Sequence, residues 1–317
     1  MSTRIRTANL GPAASAPRPP LEYEIVGPGD APVVLALGGI SASRHVLSGP
    51  VDPTPGWWQG IGGAGRALDS RVRCVLGIEY LDGGSDEAGL PQRKVTTHDQ
   101  ACAIVELLDR LDIAQLDAVI GASYGGMVAL ALAERWPERV KRLVVISAAH
   151  EAHAMATALR TVQRSIVELG LRAGEATEAM TLARGIAMTT YRTAREFAER
   201  FPAGAVTRDA GQRAEFEVER YLRHAGTRFA DRMSPARFLA LSLSADLHHV
   251  TPERVRVPTT LIAAQGDTLV PGSQMRTLAS RLPRLCGIHT LRSRRGHDAF
   301  LTETGRLSRL LTPILDD

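Results

Sequence analysis

Leu116-Asp117-Ala118-Val119-Ile120-Gly121-Ala122-Ser123-Tyr124-Gly125-Gly126-Met127 is the stretch that decides the fold. An apolar run, Leu116–Ile120, leads into Gly-x-Ser-x-Gly, and an Ala/Leu-rich helical pattern, Gly126–Trp136, follows until Pro137 stops it. A buried strand, a tight turn carrying a serine and a helix starting at once form a nucleophile elbow. The turn leaves no room for side chains beside the serine, so glycines flank it. The serine stands at a helix N-terminus, where the dipole and free N–H groups favour negative charge.

Working outward, short apolar runs bounded by Gly and Pro predict further buried strands: Val33–Leu37, Val72–Ile78, Arg142–Ile146, Thr259–Ala264 and Ile288–Leu291. Asp99–Leu111 has helical spacing. Strands alternating with helices predict a mostly parallel sheet of α/β class. The segment from about 151 to 250 carries few strand signals; Ala152–Leu169 and Phe216–Arg223 are its clearest helices. The expected organisation is a disordered Ala/Pro-rich leader over 1–20, a core over 21–150 and 251–317, and a helical lid over 151–250.

A serine hydroxyl needs a base. Nine histidines are present, and only His297, in Arg295-Gly296-His297-Asp298-Ala299-Phe300, occupies a loop beyond the last expected strand. Asp267 directly follows the strand Thr259–Ala264, at the edge where open α/β sheets place their sites. Asp246, the rival acid, lies at the lid's end and suits a local pairing or cap. Ser123, Asp267, His297 is the chain order of the α/β-hydrolase fold, and that is the fold class these residues predict. The acid would orient the imidazole and stabilise its cation. The oxyanion hole is expected from the N–H of Tyr124 and one in the loop Gly38-Gly39-Ile40-Ser41, near Gly39 or Ile40; one such donor is worth ~10²–10³ in rate.

Composition sets outer bounds. The chain has 317 residues, 44% hydrophobic and 23% charged, with formal charge +4. No run is long enough to cross a bilayer, and residues 1–20 lack the apolar core of a secretory signal. Cys74, Cys102 and Cys286 are far apart, without metal-ligand spacing. A reducing, cytoplasmic setting and no metal are expected. The arginines are dispersed, which favours a solvated basic surface over nucleic-acid or membrane binding, or a field that attracts an anionic substrate.

Several segments together resemble the homoserine O-acyltransferases of the α/β-hydrolase superfamily. They are Gly56-Trp57-Trp58, Gly62–Asp69, the elbow through Gly126-Met127, Thr190-Tyr191-Arg192 with Glu196-Phe197 and Arg200-Phe201, Phe216–Leu222, and Gly296–Leu301. The resemblance spans about 33–310. It implies ping-pong transfer from an acyl-CoA co-substrate to L-homoserine in methionine synthesis, with no bound cofactor. It also implies that Arg184 and Tyr191 hold the amino-acid carboxylate, that Asp298 takes the ammonium, and that the protein is a homodimer. A guanidinium grips a carboxylate as a fork, which suits Arg184. The chain is shorter than is usual in the family, and Gly-Gly-Ile-Ser stands where the family carries His-Ala-Leu-Thr. Acetyl-CoA is slightly favoured as donor, with succinyl-CoA close behind and Arg44 as a candidate cation for a succinyl carboxylate. Serine as acceptor, a plain ester hydrolase and a non-catalytic binder are the competing readings.

Overall fold

The computed structural model describes residues 2–8, 21–206 and 214–316. Its eight strands are β1 (Ser2–Ala8), β2 (Leu21–Gly27), β3 (Val33–Leu37), β4 (Cys74–Ile78), β5 (Ala118–Ala122), β6 (Leu143–Ile146), β7 (Thr259–Ala264) and β8 (Leu285–Leu291). They join into one sheet in the order β1-β2-β4-β3-β5-β6-β7-β8. Strands β3 to β8 pair in parallel, while β2 runs antiparallel to both β1 and β4. The inner strands β4, β5, β6 and β7 are buried along their whole length. Helices cover both faces of such a sheet, so its strands read as unbroken apolar runs without alternation. Two apolar clusters result, one including Leu35, Val119 and Val145, the other Val34, Ile120 and Ile146, consecutive residues pointing to opposite faces.

The helices of the core are α1 (Thr97–Arg110), α2 (Tyr124–Arg135), α8 (Gly272–Arg281), α9 (Ala299–Thr302) and α10 (Thr304–Asp316). Between β6 and β7 lie five more: α3 (Ala154–Ala173), α4 (Ala176–Tyr191), α5 (Ala194–Arg200), α6 (Glu217–Ala230) and α7 (Pro235–Asp246). The strand order reverses between β3 and β5. The loops leaving their C-terminal ends therefore diverge and open a crevice, the place where α/β sheets bind ligands.

Four features differ from the sequence expectation. The last strand, expected to be buried over Ile288–Leu291, runs over Leu285–Leu291 at the sheet's edge with only Leu291 buried. Ser2–Ala8, expected within a disordered leader, is an edge strand registered residue by residue on β2. Its β-branched Thr3, Ile5 and Thr7 alternate with Ser2, Arg4 and Arg6, a strand pattern hidden by the Ala/Pro-rich stretch after it; residues 9–20 of that leader lie outside the described residues. Strand β2 carries Glu22 and Glu24 between apolar residues and so lacks the continuous run of its parallel neighbours. Helix α1 starts two residues before Asp99, because Thr96 and Asp99 form a reciprocal capping box.

Candidate active site

Ser123 sits between β5 and α2 with φ 56° and ψ −124°, a conformation an L residue adopts only under constraint. The packing around it explains the flanking glycines. A Cβ on Gly121 would lie 2.3 Å from the Gly125 carbonyl oxygen, and one on Gly125 would lie 2.4 Å from the Leu37 carbonyl. Helix α2, buried from Tyr124 to Ala133, anchors the turn from below.

His297 lies in a single helical turn, Gly296–Asp298, between β8 and α9. Its Nε2 is 2.8 Å from Ser123 Oγ and its Nδ1 2.7 Å from Asp267 Oδ2. A carboxylate can only accept, so Nδ1 carries the hydrogen and Nε2 offers its lone pair to the serine hydroxyl. Asp267 follows β7. Its other oxygen accepts from the N–H groups of Leu269 (2.9 Å) and Val270 (3.0 Å), which aims Oδ2 at the imidazole. Burial pulls the His297 pKa down, but the charge and hydrogen bond of Asp267, helped by Asp298, outweigh it and leave the pKa raised.

The loop after β3 reaches the serine. Gly125 N–H donates to the Gly38 carbonyl (2.8 Å), and Tyr80 Oη donates to the same oxygen (2.8 Å). A Cβ on Gly39 would stand 4.0 Å from Ser123 Oγ. Gly39, Ile40 and Tyr124 thus line one wall beside the hydroxyl. The Tyr124 phenol points away into the core, bonded to Ser244 (2.8 Å), and burial pushes its pKa up to about 12. Trp58, in the Gly56-Trp57-Trp58 motif, donates to the Phe300 carbonyl (2.9 Å), tying this loop region to the histidine turn.

Ser123 and His297 open onto a cavity of about 320 Å³. Its apolar walls include Trp57, Met127, Leu269 and Phe300. Arg184 and Tyr191, two turns apart on α4, line its helical side. The Arg184 guanidinium stacks over the Tyr191 ring (5.1 Å) and the Phe229 ring (4.7 Å) and makes no ion pair among the described residues. Held by aromatic faces, its fork of N–H groups is left for a ligand. Asp298 also lines the cavity, and its Oδ2 pairs with Arg192 Nε at 3.1 Å. Burial raises the Asp298 pKa against the opposing pull of Arg192, His297 and Arg184. A second, wider chamber of about 730 Å³ shares Arg184, Asp298 and Trp57 with the first and adds Arg200, Arg228, Arg232 and Arg237.

Other expected candidates sit elsewhere. Asp246 is bound by Arg160 and Arg164 and takes no part in orienting His297. Arg44 turns toward Glu22 of β2 and Glu79 just after β4 and does not line the cavity, which removes it as a cation for an acyl tail. His248 is buried between Thr97 and the Ala149 carbonyl, and burial depresses its pKa to about 3. Conversely, Ser147, Glu151, His153 and Arg160 line the cavity although none stood out in the sequence as a candidate. Ser147 directly follows β6, so the rule that sites gather beyond the strands' C-terminal ends could have found it. Among the described residues no group of three His, Cys, Asp or Glu is arranged to hold a metal ion. No helix there is long and apolar enough to cross a membrane.

Residues 32–304 match the family model described as alpha/beta hydrolase fold. The chain is 43% identical over 295 residues to a homoserine O-succinyltransferase of Xanthomonas campestris pv. campestris, covering 93% of this chain and 78% of that protein. It is 33% identical to a serine O-succinyltransferase of Frateuria aurantia, covering 89% of each. In fold it superposes on a homoserine O-acetyltransferase from Bacillus anthracis with a TM-score of 0.88 at 17% identity, over 100% of this chain and 98% of that one.

Proposed function

The chain belongs to the homoserine O-acyltransferase family of α/β-hydrolase-fold enzymes, and from that premise we propose that it transfers a succinyl group from succinyl-CoA to the hydroxyl of L-homoserine through an ester on Ser123. The observation that carries this reading is Arg184, without an ion pair, and Asp298 lining the same cavity as Ser123 and His297. A guanidinium and a carboxylate at the mouth of a small cavity suit the two charged ends of an amino acid. The 43% identical relative favours succinyl over acetyl as the donor.

In the first half-reaction Ser123 Oγ attacks the thioester carbonyl carbon while His297 Nε2 takes the hydroxyl proton. Negative charge gathers on the carbonyl oxygen, facing the N–H of Tyr124 and of the Gly39–Ile40 segment. The C–S bond breaks, and the thiolate leaves with the proton from His297. In the second half-reaction homoserine binds with its carboxylate on Arg184 and Tyr191 and its ammonium on Asp298. His297 takes the proton of its hydroxyl, whose oxygen attacks the acyl carbon. The Ser123–acyl bond breaks and His297 returns the proton to Ser123. Asp267 steadies the imidazolium in both halves. Residues of α3, α4 and α7 wall the cavity on its helical side, so water has limited access as a competing acceptor. The product carries an ester in place of a hydroxyl, a better leaving group for a later displacement, in keeping with methionine synthesis.

The test is thiol release from succinyl-CoA and acetyl-CoA, each with and without L-homoserine, with the product weighed by mass spectrometry. Homoserine-dependent release from succinyl-CoA, giving O-succinylhomoserine, is expected. Release indifferent to homoserine would overturn the transferase reading in favour of hydrolysis. L-serine belongs in the same assay, because it lacks one methylene, a difference worth only ~1–3 kcal/mol in a site.

A further inference from the structure

We propose that Arg192 stands in for the acceptor's ammonium on Asp298 while the site is empty, and that Glu196 takes Arg192 over when the amino acid binds. This rests on the acyltransferase reading above and adds to it two positioning residues for the acceptor.

The three side chains form a short line of charge. Arg192 Nε lies 3.1 Å from Asp298 Oδ2, and Arg192 Nη1 lies 3.3 Å from Glu196 Oε1. None of the three is more than 15% exposed, so a bare charge on any of them would be poorly solvated. Burial pushes the Asp298 pKa up, and Arg192 is the largest of the charges that oppose it. Arg192 thus keeps the empty cavity from holding an uncompensated carboxylate.

The pairing is incomplete on both sides. Arg192 Nε is buried and directs its N–H at no acceptor among the described residues, so its contact with Asp298 is a charge pair without a hydrogen bond. Glu196 Oε2 is buried and also has no hydrogen-bond partner there. The guanidiniums around Glu196 gather on its other oxygen: Arg295 hydrogen-bonds to Oε1, Arg192 lies 3.3 Å from it and Arg200 3.9 Å. Buried polar atoms are ordinarily satisfied. An unused donor on Arg192 and an unused acceptor on a carboxylate it already touches mark a second position for that guanidinium, gripping both oxygens of Glu196 as a fork. Glu196 is fixed to receive it, since its N–H donates to the Thr193 hydroxyl (3.2 Å) at the start of α5.

Asp298 borders both the inner cavity and the wider chamber, whereas Arg192 borders the wider chamber alone. An ammonium beside Ser123 therefore reaches the carboxylate from the inner cavity without passing Arg192. Two cations on one carboxylate repel, and Arg192 turns to Glu196. Asp298 keeps one counter-charge throughout. A molecule without an ammonium cannot displace Arg192, so the exchange also selects for an amino acid.

The experiment measures KM for L-homoserine, kcat and the burst of thiol from donor alone, with whichever acyl-CoA the wild type turns over faster. It is run at alkaline pH, where Asp298 stays ionised. The variants are Glu196→Gln, Arg192→Gln and the two combined. The single variants should move KM in opposite directions. Glu196→Gln leaves Arg192 on Asp298 and should raise KM by ~10-fold or more, the size of a lost hydrogen bond to a charged group. Arg192→Gln clears Asp298 and should lower KM, and in the double variant it should bring the raised KM back down. The burst should persist in all three. A structural clamp would move both single variants the same way, and that result overturns the exchange. Arg295→Gln removes the other partner of Glu196 and leaves the exchange possible; if it reproduces the rise seen in Glu196→Gln, the effect runs through the histidine turn and the proposal fails. Should Glu196→Gln not fold, Arg192→Gln decides alone, because a raised KM there overturns the proposal. The reading beneath it is tested separately. Asp298→Asn with a wild-type KM would remove Asp298 as the ammonium site, and a wild type indifferent to homoserine would remove the transferase; either takes the exchange with it. A homoserine-dependent wild type with an impaired Asp298→Asn and single variants that shift alike overturns the exchange alone.

Discussion

On the sheet side of the cavity, Ser123, Asp267 and His297 each stand just beyond a strand, after β5, β7 and β8. On the helical side, Arg160, Arg184 and Tyr191 project from α3 and α4. The sheet side is held by backbone: Gly125 N–H on Gly38, Leu269 and Val270 N–H on Asp267, Ser123 N–H on the Ile146 carbonyl. The helical side is held by ion pairs and ring faces, Arg160 on Asp246, Arg192 on Asp298, Arg184 over Tyr191 and Phe229. Backbone bonds fix atoms closely and survive changes of side chain, which suits groups that pass a proton over less than 3 Å. Side-chain pairs can be exchanged one at a time, so this wall can vary while the sheet side stays fixed.

This contrast can be broken most forcefully on the sheet side. Ser123→Ala should lower homoserine-dependent thiol release by ~10⁴-fold or more, and intact mass should no longer show an acyl adduct after mixing with donor alone. Retention of near-normal transfer would sink the covalent scheme. Asp267→Asn comes next. The amide oxygen can still accept from Leu269 and Val270, so folding should be kept, but the imidazole loses its orienting anion. A drop of ~10³–10⁴ in kcat is expected; a drop below tenfold would mean that another group orients His297.

On the helical side the effects should be smaller and of another kind. Arg184→Ala should raise the KM for homoserine by ~10- to 100-fold, as for a lost charged hydrogen bond. The burst of thiol from donor alone should persist, because in the proposed scheme Arg184 acts only in the second half-reaction. An equal loss in both halves would place Arg184 in the donor's path instead.

The smallest effect links the two sides through charge. His297 must be neutral to take the serine proton, so kcat/KM for the donor should rise with pH through the His297 pKa, which lies above its ordinary value of 6.5. Asp298 contributes to that elevation; Asp298→Asn should therefore move the inflection to lower pH, read from a pH–rate profile of the donor half-reaction. The same elevation has a stability counterpart. Protonated His297 contributes stability that is complete below the unfolded pKa and is lost as pH rises through the folded one. An inflection that stays in place in Asp298→Asn would show that this carboxylate is not felt at the imidazole.

What the sequence by itself determined is what local geometry demands. The run into Gly121-Ala122-Ser123-Tyr124-Gly125 can be read because a Cβ at either glycine would collide with backbone a few residues away or on the next strand. The parallel strands can be read because burial on both faces forces continuous apolar runs; Val33–Leu37 and Thr259–Ala264 match to the residue. Strand β2 escaped notice because its buried Glu24 is offset by His45, at 2.8 Å, twenty-one residues away. The tertiary structure alone decided the surroundings of Ser147, His153, Arg160 and Arg44. Ser147 and His153 follow β6 and Arg160 belongs to α3, all of them ordinary polar positions in a row. Only the packing of the lid over the sheet brings them to the cavity, and only Glu22 and Glu79 draw Arg44 away. Such assignments depend on which charges meet across the fold, and a charge carries no mark in sequence of the partner that will claim it.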